Sequence, residues 1–149
     1  MSSRGSRDER GTVLVEVTWL SILLLVPLLY VVLAVSAVQR AAFGVTAATR
    51  AAGRAFTLAP SQADAFARAR TAAAVALADQ GLVLDRGRLE VSCSPRPAAC
   101  LTPGSVVHVA LSYPVALPLM PAALGGNTPS IRVAAAQQVP YGTFRENRS

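Results

Sequence analysis

Lysine is absent from this chain, and all 14 basic side chains are arginines. Against eight acidic residues they leave a net charge of +6. Such an excess is a common footprint of nucleic-acid binding. Here the arginines are scattered singly or in pairs, and no basic run interleaves with aromatics, which argues against a nucleic-acid partner. Aromatic residues are only 5% of the chain, so its core must be thin and lined largely by alanine. There are two cysteines and one histidine. Cys93, Cys100 and His108 lack a fourth ligand and a recognisable spacing, which argues against a metal site. His108 falls in an alternating segment and reads as an outward or partly satisfied strand residue. No glycine-rich loop follows a strand, and Gly125-Gly126, flanked by prolines, reads as a turn. Scattered serines beside one histidine specify no nucleophile, and Asp79 and Asp85 read as cap or loop residues. The expectation is a protein that is not an enzyme, with no catalytic residues, metal or cofactor.

What the chain does contain is a long uncharged run. Val17 to Val38 is 22 residues without a charge, 14 of them Leu, Ile or Val. As a helix it measures about 33 Å, the thickness of a bilayer's hydrocarbon core. At about −0.3 to −0.6 kcal/mol each, the aliphatic residues outweigh the few hydroxyls and Pro27. Pro27, with apolar residues on both sides, is expected to kink the helix and not to end it. Trp19 fits the cytoplasmic interface. Arg4, Arg7 and Arg10 favour an inside N-terminus, although Arg40, Arg50 and Arg54 follow closely and weaken the bias. The cysteines decide the orientation. As the only pair, close in sequence, they read as a disulfide worth about 2.5 kcal/mol, which persists only in an oxidising compartment. The C-terminal domain is therefore expected outside the membrane. A rival reading is a secretory signal cleaved near Ala37, after Val35-Ser36-Ala37, but its apolar region exceeds the usual span of about 7–15 residues. Another is an anchored binding module that is never processed.

Glu16 stands at the edge of the uncharged run, where a carboxylate is costly if carried inward. Gly11 precedes Thr12, and Glu16 is the fifth residue counted from Thr12. Cleavage after Gly11 creates an ammonium at Thr12, which Glu16 of a neighbouring subunit is placed to neutralise. The basic leader Arg7-Asp8-Glu9-Arg10-Gly11, with Val13-Leu14-Val15-Glu16-Val17 behind it, resembles the prepilin-type signal of type IV pilin-like proteins, and in particular the TadE-like minor pseudopilins. So does Ala47-Ala48-Thr49-Arg50-Ala51-Ala52-Gly53-Arg54-Ala55, where that family carries an "AAR-GAR" segment. The resemblance covers roughly residues 4–56 and points to an actinobacterial variant. It implies a minor subunit of a tight-adherence (Flp) pilus system, since major Flp pilins are shorter and carry Glu-Tyr where this chain has Glu16-Val17. It further implies cleavage between Gly11 and Thr12 by a prepilin peptidase. The implied partners are other pseudopilins and the inner-membrane assembly proteins of the system.

Beyond the membrane run, Gln39 to Phe56 is expected to continue the same helix. Ala41, Val45, Ala48, Ala52 and Phe56 share one face, and Gln39, Arg40, Thr46, Arg50 and Arg54 the other. Pro60-Ser61 breaks it, and Ser61-Gln62-Ala63-Asp64 has capping-box spacing for a second helix. Its expected apolar stripe is Ala63, Phe66, Ala69, Ala73 and Leu77, with Gly81 closing it. Three strands follow: one through Leu89, Val91 and Cys93, one through Val107 to Tyr113 ended by Pro114, and one through Ile131 to Gln137. Pro118, Pro121, Gly125-Gly126-Asn127 and Pro129 make a long loop. The expected class is α+β. Residues 1–11 form a cytoplasmic leader, 12–38 a transmembrane helix, and 39–149 an extracytoplasmic domain, in a single-pass cell-membrane protein.

Overall fold

The computed structural model describes residues 8–117 and 129–148, with side chains from residue 13 onward. The architecture is α+β. A long helix α1 (Asp8–Thr57) is followed by α2 (Gln62–Ala78) and a short 3-10 turn at Leu84–Arg86. Three strands complete it: β1 (Arg88–Ser94), β2 (Val106–Ala116) and β3 (Ser130–Pro140). The chain divides into two compact units, residues 1–36 and 37–149, and α1 contributes to both.

In the first unit α1 does not end at Pro27, and from Val13 to Ser36 nearly every side chain is exposed. Its hydroxyls turn back on the helix: Thr18 donates to the Leu14 carbonyl at 2.7 Å and Ser36 to the Val32 carbonyl at 2.7 Å. Such i−4 bonds let a hydroxyl lie against hydrocarbon without an unmet donor.

In the second unit the predicted face of α1 is the core. Ala41, Val45, Ala48, Ala52 and Phe56 are all fully buried, while Gln39, Arg40, Arg50 and Arg54 stay exposed. The sheet is antiparallel in the order β1-β2-β3, with Arg88 opposite Ser112 and Val109 opposite Gln137. Period-2 alternation sends Val107, Val109, Leu111, Tyr113 and Val115 of the central strand inward. The backbone of α1 comes very close to β3 at Gly53, where an added Cβ would lie 2.7 Å from Cγ2 of Val139.

Two expectations need correction. The buried stripe of α2 is Ala65, Ala69, Ala73 and Leu77, whereas Ala63 is exposed and Phe66 is 45% exposed. Strict i+4 steps back from Leu77 set the stripe, and Phe66 sits at its rim, its ring edge-on to Phe56 at 5.0 Å. Nor does Pro114 end β2, which runs on to Ala116. β1 starts opposite Ser112, so from Tyr113 onward β2 has a neighbour on one side only. At such an edge a residue without an N–H is tolerated.

The caps of α2 follow the sequence. The Ser61 side chain accepts from the Asp64 N–H at 3.2 Å and donates to the Asp64 carboxylate at 2.7 Å. At the other end Gly81 has φ +69°, its N–H bonds the Ala78 carbonyl, and the Leu82 N–H bonds that of Leu77. That 6→1 and 5→2 pair is a Schellman motif, which wants a residue without a Cβ at the left-handed position. The expected proline-glycine loop lies mostly outside the described residues. Its end, Pro129, accepts from the Leu117 N–H at 3.1 Å and so joins the strands it separates.

Candidate functional site

Two places gather the residues singled out by sequence. The first is the N-terminal part of α1. Gly11 and Thr12 lie in its opening turns, within the helical backbone that begins at Asp8. The Glu16 side chain is exposed on the helix and makes neither an ion pair nor a hydrogen bond among the described residues. Around it Leu14 is 70% and Trp19 68% exposed, and among the described residues this is the one helix long and apolar enough to cross a membrane. A lone carboxylate beside such a surface has its partner elsewhere, in water, at a headgroup or on another chain. The side chains of Arg40, Arg50 and Arg54 beyond the run are likewise exposed and make no ion pair or hydrogen bond among the described residues. Arg4, Arg7 and the side chain of Arg10 lie outside the described residues.

The second place is one end of the domain, around the cysteines. Cys93 and Cys100 are joined in a disulfide, with Cα atoms 5.3 Å apart. Both sulfurs are buried with their residues, and Leu101 beside them is fully buried. The loop so closed is held by Gln62, from the first turn of α2. Its side-chain amide donates to the Ala98 carbonyl at 2.9 Å, and its carbonyl oxygen accepts from the Cys100 N–H at 2.9 Å. Ser105 donates to the carbonyls of Cys100 and Thr102.

The C-terminal tail closes over the same end. Arg145 donates to the Thr57 carbonyl at 2.6 Å and Arg148 to the Ala59 carbonyl at 3.4 Å, so two cations meet the carbonyl end of α1. That is where the helix dipole is negative and its last carbonyls lack intrahelical donors. The Arg148 N–H bonds the Leu101 carbonyl at 3.0 Å, the Tyr141 hydroxyl bonds the Glu146 carbonyl at 2.8 Å, and Arg145 lies 5.2 Å from the Tyr141 ring. Sequence reasoning missed Gln62, Arg145 and Arg148. Gln62 and the disulfide loop are 36 residues apart and Arg145 and Thr57 are 88 apart, so no local pattern announces either contact.

The disulfide, Gln62 and the arginine tail together tie this end of the domain. His108 lies on the outer face of β2, its Nε2 2.9 Å from the Ser94 hydroxyl, whereas Cys93 points to the core. No group of three or more His, Cys, Asp or Glu is placed to hold a metal among the described residues. A shallow depression between the helices is lined by Ala55, Leu58, Ala67, Arg68, Thr71 and Ala72, and it carries one cation and no catalytic pair. No family model, curated protein or solved structure matches this chain.

Proposed function

We propose that the protein is a single-pass membrane subunit of an extracellular assembly, of the kind the TadE-like minor pseudopilins represent. The observation that carries this reading is the division of one continuous helix. From Val13 to Ser36 its surface is apolar and uncovered, and from Ala41 to Phe56 one face is wholly consumed by the core of a small domain. A soluble protein does not expose an apolar run of that size. Within the domain, the outer part of α1 is held by the close approach at Gly53 and by the arginine tail. A disulfide in that domain fits an oxidising side of the membrane.

In this reading the leader is held inside by Arg4, Arg7 and Arg10 until a prepilin peptidase cuts after Gly11. Glu16 then pairs with the new ammonium at Thr12 of a neighbour, and the charge of each helix is met by the next. The partners are the peptidase, other pseudopilins and the inner-membrane assembly proteins of the system.

The deciding experiment is N-terminal sequencing of the protein isolated from the cells that make it. Thr12 at the N-terminus is the expected result. An intact leader identifies an unprocessed anchored module, and a start next to Ala37 identifies a secreted domain. Either would refute the pseudopilin reading.

A further inference from the structure

Glu16, Leu23 and Tyr30 are seven residues apart in turn, with Pro27 between the last two. That spacing lines them along one face of α1. Two of these positions strand a polar group. The carbonyl of Leu23 would ordinarily accept from the N–H of residue 27, and proline has none. The Tyr30 hydroxyl has no hydrogen-bond partner among the described residues.

Both groups lie deep in the apolar run. Long side chains on a helix lean toward its N-terminus, so the Tyr30 hydroxyl sits near the level of Val26. At 1.5 Å per residue that is about 14 Å from Val17 and about 18 Å from Val38. Whichever end faces the cytoplasm, the hydroxyl is near the middle of the hydrocarbon and too far in to reach either surface. The Leu23 carbonyl points along the helix toward its C-terminus and so lies at nearly the same depth. A donor and an acceptor, each unmet and each in hydrocarbon, are individually expensive.

We propose that this face receives a second copy of the same chain, parallel and in register, with each Tyr30 hydroxyl donating to the Leu23 carbonyl of the other. A parallel copy in the same bilayer holds donor and acceptor at matching depths by construction, and the two-fold contact satisfies both groups twice. An unrelated helix would need its own polar group near the midplane, and such groups are rare. Ala34, one turn beyond Tyr30, is small enough for close helix approach. Glu16 lies on the same face at the aqueous edge; in an unprocessed pair water and salt screen its repulsion from its counterpart, and after cleavage the Thr12 ammonium of the other copy stands one turn away to meet it. The inference rests on the membrane-spanning part of the proposed function and not on cleavage after Gly11.

The test is oxidative cross-linking of the full chain in phospholipid vesicles. Ala34→Cys, on the pairing face, is expected to give a covalent dimer, and Ser36→Cys, on the opposite face, is not. In the Ala34→Cys background, Tyr30→Phe should lower the association constant about five- to tenfold, the scale of two interhelical hydrogen bonds in lipid. Pro27→Leu, which restores the N–H that Leu23 lacks, should cost a similar factor, and the two changes together should cost no more than either alone. Equal cross-linking at residues 34 and 36, or losses that multiply in the double variant, would overturn the pairing and leave the anchor standing. Release of the chain from the vesicles by alkaline carbonate would overturn the anchor and the pairing with it.

Discussion

Gly53→Ala is the sharpest probe of how the long helix holds the domain. The new Cβ falls 2.7 Å from Cγ2 of Val139 and 3.7 Å from Cγ2 of Val109. Carbon atoms prefer about 3.5–4.0 Å, so the Val139 contact is short by about 1 Å. Valine escapes such a clash poorly because its β-branch leaves one favoured rotamer. Moving the backbone instead pulls on the ladder, where Val139 is opposite Val107. Forcing a methyl into a packed site costs about 1–3 kcal/mol. Replacing glycine by alanine within a helix returns about 0.8–1 kcal/mol. The net expectation is a loss of about 1 kcal/mol, measured by denaturant titration of the detergent-solubilised chain with protease susceptibility as the readout. Val139→Ala removes the obstructing methyl, so in that background Gly53→Ala should stabilise by roughly the propensity gain alone. A single Gly53→Ala variant more stable than the native chain by the full propensity term would refute the close packing of α1 on β3.

Three further outcomes follow from the contacts described. Reducing the Cys93–Cys100 bond, or replacing both residues by serine, should cost about 2.5 kcal/mol from loop entropy, read as a lower melting temperature in the presence of reductant. Arg145→Ala removes the 2.6 Å bond to the Thr57 carbonyl and the cation over Tyr141. Because Arg145 is exposed the loss should be about 1 kcal/mol, below the range for charged hydrogen bonds, and urea midpoints for the alanine and lysine variants would measure it. Glu16→Ala should leave membrane insertion intact, as carbonate extraction reports, and abolish assembly into filaments; unchanged piliation would remove the pairing role from Glu16.

How far these elements were legible depended on contrast within each segment. The core face of α1 was readable because Val45 and Phe56 stand out among alanines at helical spacing, and arginines mark the opposite side. α2 offered no such contrast. Nine of its 17 residues are alanines, its one aromatic lies at the rim, and an alanine stripe can be drawn in more than one phase. The strands were clear from period-2 alternation, but the end of β2 was not, because a proline stops a strand only where both edges are paired. The clamps at the disulfide end were invisible for another reason. Their donors and acceptors are main-chain carbonyls, amides and long flexible side chains brought together only by the finished fold.

The same distinction bears on which residues deserve functional weight. In Ala47 to Ala55, the segment that resembles the AAR-GAR pattern, Ala48 and Ala52 are fully buried and Thr49 bonds back to the Thr46 carbonyl at 3.0 Å. At Gly53 the helix backbone comes so close to β3 that an added Cβ would lie 2.7 Å from Val139 Cγ2. Packing within the domain therefore accounts for Ala48, Ala52 and Gly53 without any partner, while Ala47 is exposed and Arg50 and Arg54 are exposed with no ion pair or side-chain hydrogen bond among the described residues. No such account exists for Glu16. Its side chain makes no ion pair or hydrogen bond among the described residues, it contributes nothing to the core, and its position beside an uncovered apolar surface is unfavourable for a protein that works alone. If Arg50 and Arg54 were replaced together by glutamine, the domain should keep its stability within about 0.5 kcal/mol, as surface changes do. Any loss of assembly would then assign those two arginines to a contact between subunits, and full assembly would leave Glu16 as the charge on α1 to which the proposed reading gives a partner.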